Sequence, residues 1–165
     1  MGESPMSRMN SLWLSFALLG CDAIDAPCGA ASSRVVEVVD GDTLELEGGE
    51  RVRLLGIDAP EDGETNECFG PEATAWLRLL VQDRELELEY ARQCRDEYGR
   101  QLAWVFVRGR PLAELLVERG LACAWRPWGD VQDDARTSRL LELEAIARRQ
   151  QRGLWGACPR PPCLD

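Results

Sequence analysis

Apolar and polar residues alternate in five short runs, Val35–Val39, Thr43–Leu46, Val52–Ile57, Glu85–Tyr90 and Leu102–Val107. A period of two marks a strand with one face buried, so five strands are predicted. Elsewhere the period changes. After Pro71, residues Ala73, Trp76, Leu77 and Leu80 recur at i, i+3, i+4 and i+7, one face of a helix whose first turn tolerates proline. A second helix is predicted from Pro111, burying Leu112, Leu115 and Leu116 and stopping at Gly120. A third runs from about Asp133 to Gln151, with Leu140, Leu143 and Ala147 on one side and a favourable Glu144/Arg148 pair at i,i+4.

The connections carry the chemistry. Asp40-Gly41 lies between the first two strands and predicts a hairpin turn, leaving Asp42 at the start of the second strand on the barrel rim. Arg53 is flanked by Val52 and Leu54, and an arginine there must reach solvent or find an anion. Asp58 closes that strand and Pro60 turns the chain out of the sheet, so Glu61 follows on a loop close to Asp58. Tyr98-Gly99 is a further turn signal, and Arg100 leads into the last strand. Carboxylate oxygens suit a hard divalent cation, and fixed guanidinium donors suit a phosphodiester.

Taken together, these motifs resemble the micrococcal nuclease (thermonuclease, staphylococcal-nuclease-like) family from about Arg34 to Gly156. The matching stretches are Asp40 to Thr43, Arg53 to Glu61, Phe69 to Ala73, Asp96 to Leu102, Gly120 to Ala122 and Gly153 to Trp155. The resemblance implies a mainly β fold with helices, a five-stranded OB-fold barrel plus three α-helices. It implies a calcium-dependent endonuclease that hydrolyses DNA and RNA and leaves 3′-phosphate ends. By motif, Asp42 and Asp58 match the Ca2+ carboxylates, and Ala59 holds the position whose backbone carbonyl joins them. Glu61 matches the residue that positions and deprotonates the attacking water, and Arg53 and Arg100 match the two phosphate-gripping arginines. Trp104 and Trp155 are read as packing residues. Trp125 and Trp128 fall in a segment that passes the nucleotide pocket in the family, where stacking and packing both remain open.

Composition changes this picture in three ways. There is no His and no Lys, which excludes a histidine-based ribonuclease, a histidine-ligated zinc site and a phosphate loop of the Gly-x-x-x-x-Gly-Lys type. The formal net charge is −10, unusual for a protein that holds long polyanions. It favours the competing reading, a non-catalytic OB module that binds nucleic acid or a protein partner at the cell envelope. Glu37, Glu45, Glu47, Glu50, Glu85, Glu87 and Glu89 are spread over the strands, whereas Arg92, Arg95 and Arg100 are expected on one loop beside Arg53.

Leu12 to Leu19 is a short apolar stretch after Arg8, the length of a signal-peptide core. Leu18-Leu19-Gly20-Cys21 resembles a bacterial lipobox, implying a diacylated Cys21; ordinary cleavage near Ala30-Ala31 is the alternative. The expected organisation is 1–20 signal peptide, 21–33 linker, 34–156 nuclease-like OB domain and 157–165 Cys/Pro-containing tail, in an exported, membrane-anchored or secreted monomer. Lipidation of Cys21 leaves an even set: Cys28, Cys68, Cys94, Cys123, Cys158 and Cys163. Six such thiols outside the cytosol predict disulfides, with 15 pairings open. A cysteine zinc site is disfavoured because no Cys-x-x-Cys pair exists.

Overall fold

The alternating runs fold as a closed barrel in a computed structural model that describes residues 28–63, 66–125 and 134–162. The signal-peptide stretch, Cys21, Trp128, Asp133 and Cys163 lie outside the described residues. Strands β1 (Ser32–Val38), β2 (Thr43–Leu46) and β3 (Arg51–Leu54) form an antiparallel meander, and β5 (Glu85–Arg95) and β6 (Gln101–Val107) a long hairpin. β1 pairs with β5, and β3 pairs in parallel with β6, which closes the five strands into an OB-type barrel. Val35, Val38, Leu44, Val52 and Ala103 point inward and are fully buried. Closure through the β3–β6 pair leaves the five barrel strands, among the described residues, without an open edge between them.

Three helices cover this core. α1 (Gly70–Val81) packs on β1 through Ala73, Leu77 and Val81, with Trp76 and Leu80 only partly buried at the margin. α2 (Leu112–Arg119) buries Leu112, Ala113, Leu116 and Val117 and ends at Gly120, whose left-handed conformation (φ 67°) lets its N–H reach back to the helix carbonyls. Pro111 just before it forms a two-residue strand with Arg110, β7. α3 (Asp134–Arg149) packs on α2 through Leu140 and Leu143. The Glu144/Arg148 pair forms at 3.3 Å, but Glu144 is buried and also accepts the N–H of Ala124. α4 (Leu154–Ala157) is a single turn.

Three expectations change. The predicted strand Val52–Ile57 breaks after Leu54, and Ile57-Asp58 becomes β4 in a separate two-stranded sheet with β8 (Cys123–Ala124). The break is at Gly56, whose φ of 78° suits glycine and where a Cβ would meet Trp104 Cη2 at 2.5 Å. The strand predicted as Glu85–Tyr90 continues to Arg95, so Arg92 and Arg95 lie on β5 rather than on a loop. Arg95 is also spoken for: it pairs with Glu50 at 2.8 Å and donates to the carbonyl of Gly99 at 2.7 Å. Finally, ordered structure begins before Arg34, because Ser32 and Ser33 pair with β5 and Cys28 is bonded to Cys94.

A second disulfide joins Cys68 to Cys158, and Cys123 is disulfide-bonded as well. The two described bonds close sequence separations of 66 and 90 residues. Closing loops that long restricts the unfolded chain by about 4–5 kcal/mol each in the chain-entropy limit. Among the described residues no helix is long and apolar enough to cross a membrane.

Candidate active site

Strand register assembles the site. Thr43 stands opposite Arg53 across the β2–β3 pair, and Leu102 stands opposite Arg53 across the β3–β6 pair. Asp42, Arg53 and Arg100 therefore meet on one rim although they are far apart in the chain. The backbone confirms the junction: Leu54 N–H donates to the Asp42 carbonyl at 2.9 Å. The two-residue β4 then carries Asp58 to the same place, and β8 brings Trp125 beside Gly56 through a 2.9 Å hydrogen bond. Asp42, Arg53, Asp58, Glu61, Tyr98, Arg100 and Trp125 are among the residues around one depression of about 270 Å³.

Arg53 is the hub. It is 9% exposed, and its Nη1 donates to the carbonyls of Leu54 (2.8 Å) and Ile57 (2.9 Å). Its Nη2 lies 3.0 Å from Asp42 Oδ2 and 2.9 Å from Asp58 Oδ1. The arginine thus finds its anion inside the protein, where one guanidinium bridges the two carboxylates. The guanidinium carbon lies over the Trp125 ring, 5.8 Å from its centroid. Arg100 is oriented by Asp96, which accepts from its Nε at 2.7 Å and from its backbone N–H at 2.9 Å. Tyr98, largely exposed, lies against Arg100 at 5.4 Å.

Asp42 does not project from the rim. It is 7% exposed, with Oδ2 accepting the N–H of Ala59 at 2.9 Å and Oδ1 accepting the Thr43 hydroxyl at 3.1 Å. Burial pushes its carboxyl up to about 7, against the pull of Arg53 and with a push from Asp40 and Asp58. Asp58 is raised by burial and by Glu67 and Asp40, again against Arg53. Glu61, on the exposed loop, is raised by burial and then by Asp40, Glu67 and Asp58. All three carboxyls are thus pushed toward the neutral form. One guanidinium does not offset the negative charge gathered here.

A bound divalent cation would offset that imbalance. Asp42 Oδ2 and Asp58 Oδ1 both lie within 3.0 Å of one Arg53 nitrogen, so the two carboxylates face a common point that takes positive charge, and carboxylate oxygens are the donors a hard divalent cation prefers. Two carboxylates meet at this point, and among the described residues no three His, Cys, Asp or Glu side chains converge as a metal cluster. Water and substrate oxygens commonly complete such hard-cation sites.

Of the tryptophans, Trp104 is buried in β6 and Trp155 is half-buried under Arg148, 4.2 Å from its ring. Trp125 is exposed and lines the depression. From the sequence alone Trp125 is open between stacking and packing; its exposure and its place beside Arg53 put it at the depression. Sequence reasoning missed the Asp96 and Thr43 contacts of Arg100 (the latter at 3.5 Å). For Asp96 a signal existed, an acid four residues before an arginine around a Tyr-Gly turn.

Fold and site together define a class: an OB-type barrel whose rim holds an acidic pair bridged by arginine, with a second arginine beside it. Comparison with known proteins narrows this to a family. The family model described as "Staphylococcal nuclease homologue" matches residues 51–157. An "Uncharacterized endonuclease" of Escherichia coli O157:H7 is 36% identical over 143 residues, covering 83% of this chain and 86% of that protein. The "Thermonuclease" of Staphylococcus hyicus is 29% identical over 130 residues, 74% of each chain. An "SPbeta prophage-derived endonuclease YokF" of Bacillus subtilis (strain 168) is 40% identical over 91 residues, 51% of this chain and 31% of that one. The chain belongs to the staphylococcal nuclease family, and these relatives carry the names endonuclease and thermonuclease.

Proposed function

We propose that this protein is a calcium-dependent phosphodiesterase that hydrolyses DNA and RNA and leaves 3′-phosphate ends. One observation carries the reading: Asp42, Arg53, Asp58, Glu61 and Arg100 surround a single depression, with the carboxyls among them electrostatically under-compensated. A binding module has no use for buried carboxylates that repel its phosphate ligand, which sets the non-catalytic alternative behind the enzyme.

Asp42, Asp58 and the carbonyl of Ala59 would hold the cation. Calcium bound there supplies Lewis-acid polarisation of a phosphate oxygen and offsets developing negative charge. A cation that took over the compensation of Asp42 and Asp58 would leave the charge of Arg53 to a phosphate. Arg100, fixed by Asp96, donates to the same group without acid–base chemistry, because guanidinium keeps its protons. Glu61 takes the proton from the attacking water. As the new P–O bond forms, the bond to the 5′-oxygen breaks, that oxygen takes up a proton from solvent, and the phosphate stays on the 3′ side. The reading extends to location: a chain acylated at Cys21 and held outside the cytoplasm, tested by mass spectrometry of the membrane fraction for a diacylated N-terminus.

Digestion of single- and double-stranded substrates with calcium, with magnesium alone and with chelator tests the activity. Cleavage is expected only with calcium, since magnesium demands a stricter octahedron than two carboxylates and a carbonyl provide. Glu61→Gln should lower turnover roughly 100-fold or more while substrate still binds. Full activity in chelator would overturn the mechanism.

A further inference from the structure

The backbone of Glu61 is held by groups that the proposed reaction does not use. Its N–H donates to Glu67 Oε2 at 3.0 Å, and its carbonyl accepts the N–H of Glu67 at 2.9 Å. Glu67 therefore fastens the loop to itself in both directions. The same carbonyl abuts Gly70 at the start of α1, so closely that a Cβ there would stand 2.1 Å from it. Next to Glu67, Cys68 is bonded to Cys158, and Cys158 is buried with Leu154 and Cys123 in a small second core. Phe69 packs against both this core and the main one.

Without these anchors Glu61 would ride on an exposed loop. Glu61, Gly63, Asn66, Glu67 and Cys68 are all exposed, and hydrogen bonds in water hold a segment only weakly. A general base has to be placed to within a fraction of an ångström, and the covalent tie at Cys68 reaches rigid structure one residue beyond Glu67.

We infer that Glu67 and the Cys68–Cys158 disulfide form a clasp that positions Glu61, so that turnover depends on both. The inference rests on the role given to Glu61 above. Glu67 is on this view a positioning residue: its side chain is needed as an acceptor for the Glu61 N–H. Because the disulfide persists in oxidising surroundings, the clasp is complete only outside a reducing compartment.

Full-length Glu67→Ala, Glu67→Gln and the double variant Cys68→Ser/Cys158→Ser separate the possibilities. The readouts are kcat and KM on a single-stranded oligonucleotide with calcium, and native-state hydrogen exchange of the Glu61 and Glu67 amides. Glu67→Ala and the double variant should lower kcat roughly 10-fold or more with KM within about twofold. Their Glu61 and Glu67 amides should exchange faster while amides of β5 and β6 stay as protected as in the parent. Glu67→Gln keeps an acceptor in place and should hold kcat within about threefold. A double variant with parental kcat would overturn the proposal. So would Glu67→Gln falling as far as Glu67→Ala, or exchange rising equally throughout the barrel. If the parent itself cuts nothing with calcium, the nuclease reading falls, and exchange at Glu61 alone decides whether the clasp holds the loop.

Discussion

In metal-free protein, Asp42→Asn should lose less stability than the parent as pH rises. Asp42 is almost sealed from water, and burial outweighs Arg53 to raise its carboxyl from 3.8 to about 7. In the unfolded chain an aspartate titrates near its ordinary value, about 3.9. Between those values the unfolded chain has released its proton and the folded one retains it. The folded state then binds more protons, so stability falls with rising pH across that window and levels off above about 7. One unit is worth about 1.4 kcal/mol, so a shift of this size sets an upper limit of about 4 kcal/mol. Asparagine has the shape of the protonated acid and does not titrate, so the variant escapes the loss. Asp58 and Glu61 titrate in both proteins and largely cancel in the difference. Leaving Arg53 to Asp58 alone has its own cost, which displaces the difference without tilting it once Asp58 is ionised. The assay is urea unfolding in chelator from about pH 5 to about pH 8, repeated with millimolar calcium. The variant should gain on the parent as pH rises, and calcium should stabilise only the parent. A difference that stays level or shrinks with pH refutes the reasoning, as does equal stabilisation of both proteins by calcium.

Arg53→Lys should lower turnover by about 100-fold and stability by about 2–4 kcal/mol, because one ammonium cannot serve Leu54, Ile57, Asp42 and Asp58 together; kinetics and urea midpoints check it. Gly56→Ala places a methyl group against Trp104 and Leu140 at a positive φ, and should cost about 2 kcal/mol or more in the same unfolding assay. Apparent affinity should fall only shallowly with salt, reflecting about 2–3 phosphate contacts, with single strands preferred to duplex. The exposed Glu37, Glu85 and Glu87 repel an extended duplex, and the tie of Arg95 to Glu50 removes one cation from its path. A steep salt dependence of KM with duplex preferred would place the acidic face away from the substrate.

Alternation with period two determined β1, β2, β5 and β6, because one-sided burial writes itself directly into neighbouring residues. Helical spacing likewise located α1, α2 and α3, and the Asp-Gly turn located the β1–β2 hairpin. The residues that gather around the depression were legible as motifs at strand ends. What they do to one another was not. Closure of the barrel by the parallel β3–β6 pair joins residues about fifty positions apart, and nothing local in the chain encodes that register. That closure brings Arg100 beside Arg53, while the β2–β3 register and the turn after Leu54 place Arg53 between Asp42 and Asp58. Gly56 breaks the third strand because Trp104 and Leu140 crowd it, and neither is near it in sequence. The described cysteine partners were equally hidden, since the fifteen pairings differ only in which strands and loops the fold brings together. Local order is set by neighbours along the chain, whereas charge compensation, register and cross-links depend on contacts that exist only after the barrel has closed.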